Sequence, residues 1–324
     1  MTAVVTTKSK IFSWLIRLIG LAIFVVIVWR LDWSVVIDVR HRFTFGSILI
    51  ILGAAGVHFW LKSLRWIILS DIQNIKIKMF EGFGLCMAAI YLGLITPGRV
   101  GEISKIYFLK HRTPTISWAK ASANVIFDRL LDLFMLLGIS TIGLWYYFSN
   151  WHFVELVVVP LIGLIIFLGY YFRHVWFNFL VNVLPVKKTL IAQIKQTSHE
   201  LLSEFRLLVK SPKFILALGV HLISFAIFYS MIYYLNIKLN LGLDFAASSL
   251  IISMAMLISM IPISFAGIGS RDVVLVSLFS VHHLSTEQAI QFSGVYLFSF
   301  ILFSGVVGFL AYNLSFVNKI NKNL

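Results

Sequence analysis

Hydrophobic positions in this chain fall in long stretches that short polar segments separate. The stretches cover about 12–29, 46–69, 80–96, 100–110, 123–148, 153–172, 214–235, 245–261, 271–281 and 289–312. They lack the two-residue alternation of a membrane β-barrel, and the longer ones have the length of a helix that crosses a bilayer. The pattern therefore predicts an all-α polytopic membrane protein.

Two of these stretches are interrupted by proline and glycine. The interruptions contain Pro97, Gly98 and Gly101 in the first case and Pro262, Gly267 and Gly269 in the second. Proline removes a backbone donor and glycine permits a tight turn, so each interruption predicts a re-entrant hairpin, at about 80–110 and 245–281. We expect one membrane domain, 1–324, with six transmembrane helices and two oppositely inserted hairpins, which is the pattern of an inverted repeat.

The distribution of basic residues favours this arrangement. Of the 27 Lys and Arg residues, twenty fall in segments that the hairpin topology makes cytoplasmic, four in outer segments, and three at membrane depth: Arg99, Arg129 and Arg271. Cytoplasmic loops of membrane proteins carry such an excess of Lys and Arg. We therefore predict a multi-pass protein of the cytoplasmic (inner) cell membrane with both termini in the cytoplasm.

Composition excludes other classes of protein. Hydrophobic residues make up 60% of the chain and charged residues 12%, against about 25% charged in soluble domains. A soluble domain, a disordered chain, a coiled coil and a disulfide scaffold are thereby excluded. The net charge of +14 is explained by anionic lipid headgroups rather than by nucleic acid.

The polar connection 173–213 has a helical pattern of its own. Apolar residues recur at helical spacing between 190 and 209, and Pro212 ends the pattern. This predicts an amphipathic helix, about 186–211, lying on the cytoplasmic face.

The residues after each interruption suggest an anion site. Thr96, before Pro97, and Ser270 are predicted N-caps of two half-helices whose N-termini point into the membrane. Together with Arg99 and Arg271 these N-termini would suit a phosphate. The alternatives are that the interruptions are simple kinks, that Arg99 pairs with Glu102, and that Arg271 and Asp272 lie in water at an interface.

A third group of polar residues opens the stretch 123–148. Asn124, Asp128 and Asp132 share one helix face at four-residue spacing, and Arg129 can reach Asp132. The group is either an interfacial cluster, or Asp128 or Asp132 balances the charge of Arg99 or relays a proton. Two isolated histidines in apolar stretches, at 58 and 221, are expected to be hydrogen-bonded packing residues.

These residues resemble a known family. The segments LITPGRVGE at 94–102, FDRLLD at 127–132 and GIGSRD at 267–272 are similar to motifs of the flippase-like transmembrane family, which includes the membrane domain of bacterial lysylphosphatidylglycerol synthase/flippase. Ala266 stands where the family often has glycine. The resemblance implies movement of a phospholipid or lipid-linked sugar between leaflets. The chain runs to Leu324, just after its last predicted span, so we expect no soluble lysyltransferase domain.

The leading hypothesis is translocation of a phosphate-containing lipid through a site near the membrane midplane. The predicted substrate-binding residues are Thr96, Arg99, Glu102, Asp128, Arg129, Asp132, Ser270, Arg271 and Asp272. An integral-membrane transferase that acts on a lipid phosphate, with Asp128 and Asp132 as its acidic residues, is one alternative; a scaffold for a lipid-modifying enzyme or glycosyltransferase is another. No ATP-binding or metal-binding motif is found, and no catalytic residue, cofactor or metal is predicted. The sequence sets neither the lipid nor the oligomeric state.

Overall fold

The computed structural model describes residues 40–148, 188–260 and 269–314. These residues lie in helices and connecting turns, with no strand among them, which confirms the predicted all-α class. Several predicted features lie outside the described residues: the spans 12–29 and 153–172, both termini, and Pro262 and Gly267 of the second interruption.

Nine α-helices are described, and each begins and ends within a few residues of a predicted segment. They are α1 Phe45–Ile72, α2 Met79–Leu94, α3 Ser104–Arg112, α4 Trp118–Phe148, α5 Lys188–Lys210, α6 Lys213–Leu239, α7 Phe245–Ser259, α8 Ser270–Val281 and α9 Thr286–Leu314. Two 3-10 segments, Arg40–Arg42 and Pro97–Ile103, complete the described secondary structure.

Three of the described helices, α1, α6 and α9, are long and apolar enough to cross a membrane. Helix α4 is longer still, at 31 residues, but charged side chains interrupt its first half. Helices α2 and α7 are apolar and shorter, with 16 and 15 residues. A helix rises about 1.5 Å per residue, so a helix of this length covers roughly 24 Å, less than the hydrocarbon thickness of a bilayer.

Local sequence sets the ends of several helices. Thr44 caps α1 by accepting from the backbone N–H of Ser47 at 3.3 Å, and Asp244 caps α7 by accepting from Ala247 at 2.6 Å. Helix α6 ends where Asn240 adopts a left-handed conformation with φ 54°. These residue types are the ones that satisfy free N–H groups at a helix start and tolerate positive φ at a helix end.

The first interrupted segment folds into a helical hairpin. At the turn, Thr96 Oγ1 donates to the carbonyl of Leu92 and accepts from the N–H of Gly101 at 2.7 Å. A Cβ on Gly101 would lie 2.1 Å from that same carbonyl oxygen, so only glycine lets the 3-10 segment pack this closely on α2. At the other end of the hairpin, Arg112 of α3 pairs with Glu81 of α2.

The second interrupted segment also brings its two ends together. Asp244 begins α7, and His282 follows α8, which packs against α7. Burial lowers the pKa of His282, and the nearby carboxylate of Asp244 acts in the opposite direction. At the turn, Gly269 has φ 91°, a conformation that glycine adopts without steric cost.

The two hairpins start from opposite ends of the helical assembly. Asp71, at the end of α1, pairs with Lys213, at the start of α6, and the base of the first hairpin lies at this end; we call it the basic pole. At the opposite pole, Arg42 donates to the carbonyl of Leu239 at 2.6 Å. Tyr147, at the end of α4, there contacts His282 at 2.8 Å. The bases of the two hairpins therefore lie at opposite poles, and their insertion into the membrane from opposite sides stays a prediction.

Helix α5 confirms the predicted helix at about 186–211 and packs on the basic pole. Gln73 donates to Glu204 at 2.8 Å, and Leu208 is fully buried. Leu202 and Val209 belong to the apolar residues that recur at helical spacing, yet both are half exposed. Only part of the apolar face of α5 packs against the other helices.

A buried charge cluster beside a central cavity

Arg65 lies at the centre of a group of buried charged side chains. It is fully buried on α1. Its Nε and Nη2 atoms donate to Oδ1 of Asp128 at 2.9 and 2.6 Å, and its Nη1 atom donates to Oδ1 of Asp132 at 2.8 Å. Nη1 also lies 2.5 Å from Nδ1 of His221, which must accept because arginine has only donors. One guanidinium thus connects α1, α4 and α6.

Two lysines hold the remaining oxygens of the same aspartates. Lys62 Nζ donates to Oδ2 of Asp132 at 2.7 Å. Lys105 Nζ donates to Oδ2 of Asp128 at 3.1 Å and lies 5.2 Å from the ring centroid of Trp66. Each aspartate therefore accepts from Arg65 on one oxygen and from a lysine on the other, which balances charges that would be costly if they were buried alone.

Glu102, on the 3-10 segment of the first hairpin, is buried and pairs with Arg129 of α4. This ion pair joins the tip of the hairpin to the helix that carries both aspartates. Residue spacing along α4 could not indicate this ion pair, because Glu102 lies in the 3-10 segment and Arg129 lies in α4.

Together these side chains form what we call the charge cluster: Lys62, Arg65, Glu102, Lys105, Asp128, Arg129 and Asp132. Four are cations and three are carboxylates, so the cluster has an excess of one positive charge. Buried charges are normally paired, and an unbalanced positive charge at this depth favours the binding of an anion.

A cavity of about 50 Å³ borders one side of the charge cluster. Its polar lining comes from Lys62, Glu102, Arg129 and Asp132, and its apolar lining includes aromatic side chains such as Phe225. Lining residues at the end of α7, just before the second interruption, are Ser259 and Met260. The cavity therefore touches the tip of the first hairpin and the approach to the tip of the second.

Arg271 belongs to a separate group on the second hairpin. Its Nη2 atom donates to Asp272 at 2.9 Å and to Ser293 at 2.7 Å, and the guanidinium lies 5.1 Å from the ring centroid of Tyr296. Ser293 also donates to Asp272 at 2.5 Å, and Asp272 accepts from the N–H of Gly269 at 2.9 Å. These contacts join α8 to α9.

The structure gathers four of the predicted substrate-binding residues, Glu102, Asp128, Arg129 and Asp132, into the charge cluster. Arg271 and Asp272 are not among the residues that line the cavity. The backbone of Arg99 lies in the 3-10 segment. A substrate contact of any of these residues stays a prediction.

Of the two predicted helix caps, Thr96 occupies the N-cap position without a side-chain capping bond, and Ser270 does not occupy it. Thr96 is the N-cap of the segment that begins at Pro97, although that segment is a 3-10 helix rather than the start of an α-helix. Ser270 is the first residue of α8, and Gly269 precedes it as the N-cap. The carboxylate of Asp272, three residues later, accepts from the N–H of Gly269, which is the reverse bond of a capping box and satisfies a different donor from the one that a serine N-cap would bind.

Buried polar residues elsewhere on these helices have structural contacts. Asn124 is buried and donates to Gln73 at 2.8 Å, which confirms that it shares a face with the aspartates. His58 is hydrogen-bonded to the carbonyl of Ser224 at 2.9 Å and packs among phenylalanines. The predicted packing role of His58 is therefore confirmed, and the residue also lines the cavity.

Sequence reasoning missed three cations of the charge cluster. Lys62, Arg65 and Lys105 were expected in cytoplasmic segments, but Arg65 and Lys105 are buried and Lys62 is only 19% exposed. Buried carboxylates on α4 compensate these charges inside the assembly, and the side of the membrane that these segments face stays a prediction. The signal was present, because charged residues within an apolar stretch are usually functional or paired.

The described residues contain no group of three or more His, Cys, Asp or Glu side chains that could hold a metal ion. The carboxylates of the charge cluster are all engaged by lysine or arginine. An anion would be bound and neutralised by the cations of the charge cluster, not by its carboxylates.

The fold and the site define a multi-pass helical membrane protein with paired charges buried between its helices. Within that class, the chain belongs to the family described as the lysylphosphatidylglycerol synthase TM region, whose profile matches residues 17–308. The family resemblance seen in the three motifs is thereby confirmed.

A curated relative is also a membrane protein. The chain is 26% identical over 125 residues to a protein from Pyrococcus horikoshii named UPF0104 membrane protein PH1989, and the match spans 37% of this chain and 37% of that protein. No solved structure matches the chain significantly.

Proposed function

We propose that this protein moves a phosphate-containing lipid between the two leaflets of the cell membrane. The headgroup would bind at the central cavity, where the cavity-lining cations Lys62 and Arg129 meet its phosphate. Arg99 would add a bidentate contact from the tip of the first hairpin. Arg271 does not line the cavity and is held by Asp272 and Ser293.

The observation that carries this proposal is the excess positive charge of the charge cluster beside the cavity. Arginine presents a planar fork that matches two phosphate oxygens, and charge-assisted hydrogen bonds of this type are the strong ones. A phosphate monoanion or diester would neutralise the excess charge, whereas a cationic substrate would increase the repulsion.

Glu102 gives the site a way to couple binding to movement. Its carboxylate is paired with Arg129. A phosphate that reaches Arg129 must therefore share this guanidinium with Glu102 or displace the Glu102 carboxylate. Displacement would loosen the tip of the first hairpin from α4. Binding energy would in this way be used to shift the hairpin, since a ligand can move an equilibrium only through its different affinity for two states.

The cavity is small in the described conformation. About 50 Å³ accommodates a few water molecules, whereas ligand pockets commonly have about 300–1,000 Å³. We therefore assign the described conformation to a closed state, and the two hairpins would separate to admit a headgroup from either leaflet. Their bases at opposite poles suit re-entrant insertion from opposite sides of the membrane, as in transporters with inverted repeats.

The orientation follows from the charge of the poles. Lys76, Lys78, Arg112 and Lys213 lie at the basic pole, and we place this pole, α5 and both termini in the cytoplasm. A lipid-modifying enzyme or glycosyltransferase on that side would supply or consume the transported lipid.

The arrangement of carboxylates favours transport over a transferase reaction. A transferase would need an available acidic residue as its general base. Asp128 is engaged by Arg65 and Lys105, and Asp132 by Lys62 and Arg65, so neither carboxylate is available to take up a proton.

Leaflet exchange in proteoliposomes tests the proposal. Vesicles with fluorescent phosphatidylglycerol or a labelled polyprenyl-phosphate sugar would report the exchange of each lipid as dithionite-accessible signal. We expect Arg129→Gln to lower the exchange rate by about tenfold or more, because one charge-assisted contact contributes roughly 1.5–3 kcal/mol.

The matched control is Arg206→Gln, which removes an exposed arginine of α5 and should leave exchange unchanged. Because Arg129→Gln leaves the buried Glu102 without its ion pair, melting in detergent measures the folded fraction of each variant, and exchange is compared per folded molecule. Equal exchange by Arg129→Gln and the parent protein, or by vesicles without protein, would contradict the proposal.

A further inference from the structure

A second, larger cavity opens at the basic pole, where no function has been assigned. Its volume is about 460 Å³. It lies between the end of α1, the loop before α2, the end of α3 and the start of α6. Lys62 borders the central cavity and Asp71 borders this one; nine residues of helix place them roughly 14 Å apart along α1. The two cavities are therefore separate sites.

Four cations line this pole cavity: Lys76, Lys78, Arg112 and Lys213. One carboxylate, Asp71, is shared between Lys76, at 2.5 Å, and Lys213. Arg112 pairs with Glu81, which lies outside the lining. Counting both acids, the cavity still has an excess of two positive charges.

Apolar side chains surround the cations on the side that would face lipid. Ile67, Ile77 and Leu216 line the cavity. Just outside it, Phe80 and Ile215 are each 75% exposed. Cations that share a cavity with apolar side chains match a phospholipid, whose phosphates adjoin its acyl chains.

We propose that the pole cavity binds an anionic phospholipid with two negative charges, held by Lys78, Lys213 and Arg112 at the cytoplasmic surface. The excess of two positive charges selects a headgroup with two phosphates over one with a single phosphate. The bound lipid bridges α1, the first hairpin and α6 at their common end. It would stabilise the base of the hairpin independently of the transported lipid.

Native mass spectrometry of the full chain in detergent tests this site, with cardiolipin as the probe and phosphatidylcholine as the neutral comparison. The double variant Lys78→Gln/Lys213→Gln should lower cardiolipin affinity about 25-fold, at roughly fivefold for each lysine. Lys78→Gln alone, an exposed position whose loss leaves the Asp71 pairs intact, should lower it about fivefold. Lys210→Gln, which removes an exposed lysine of the same pole, is the matched control and should have no effect.

Two further measurements separate the alternatives. Inorganic phosphate should not raise the melting temperature at concentrations where cardiolipin does; if it does so equally, the site binds a free anion and the lipid assignment is wrong. Arg129→Gln should keep full cardiolipin binding, which separates this site from the transport site. Cardiolipin affinity that is the same for the parent, Lys78→Gln and the double variant would overturn the inference.

Discussion

Glu102 forms its ion pair with Arg129 of α4, whereas Asp272 pairs with the adjacent Arg271. Both acids belong to hairpin tips that share glycine, arginine and a carboxylate in sequence. At the first tip, the acid joins a network that connects the hairpin, of which α3 is one limb, to α1 and α4. At the second tip, Arg271 and Asp272 pair with each other on α8, and Ser293 of α9 is hydrogen-bonded to both.

The difference lies in charge balance and in location. The charge cluster has one more cation than carboxylates and borders the cavity. The Arg271 group has one cation and one carboxylate, with Ser293 filling the gap between them, and it does not line the cavity. A similar set of residues thus belongs to a cavity-lining group with an excess positive charge in one hairpin and connects two helices in the other.

The largest effect should follow from removing Arg65. Arg65→Gln leaves Asp128 and Asp132 buried without the guanidinium that joins them, and breaking a buried ion pair from one side costs about 3–5 kcal/mol. We expect a corresponding loss in the free energy of unfolding, measured by denaturation in mixed micelles.

Arg65→Lys is the informative companion to this variant. A single ammonium cannot donate to both aspartates in the geometry of a planar fork, so stability should recover only in part. A change below about 1 kcal/mol for Arg65→Gln would show that the cluster is solvated rather than buried.

The next effect concerns Arg99, at the tip of the first hairpin. Arg99→Ala should lower lipid exchange by about tenfold to 150-fold, since it removes a charge-assisted contact worth roughly 1.5–3 kcal/mol in all. Arg99→Lys should keep part of the exchange. Proteoliposome assays combined with melting in detergent measure both properties.

The double variant Arg99→Ala/Glu102→Ala distinguishes substrate binding from a structural pair. If Arg99 served only to neutralise Glu102, the double variant would recover both stability and exchange. Because Glu102 already pairs with Arg129, we expect no such recovery.

Sequence alone predicted most of the fold, because long apolar stretches report helices directly. The bounds of α1, α6 and α9 follow from hydrophobic runs, and the interruption at Pro97 marks a real turn. The orientation that the basic residues predict stays a prediction, and two of the residues counted for it, Lys62 and Arg65, form buried ion pairs.

The charge cluster could be predicted only in part. Asp128 and Asp132 were visible through their spacing on one helix, but their partners come from α1 and α3, and a pairing between distant helices leaves no periodic trace in a single sequence. The Gly269 cap was missed for a related reason, since Ser270 is the better capping residue by type, whereas the carboxylate of Asp272 satisfies the free N–H group from within the helix.

The smallest effect is expected for Arg271, and it tests the comparison between the tips most directly. Arg271→Gln removes the ion pair with Asp272, but Asp272 keeps its hydrogen bonds from Ser293 and Gly269 and is 28% exposed. We therefore expect a loss of about 1.5–3 kcal/mol in the free energy of unfolding, with Ser293→Ala losing about 1 kcal/mol as a control for the same group.

If Arg271 mainly joins α8 to α9, exchange per folded molecule should fall far less than in Arg129→Gln. Loss of exchange at unchanged stability would instead show that Arg271 contacts the lipid phosphate, as its position after the second interruption predicts, and the two tips would then be functionally equivalent despite their different charge balance.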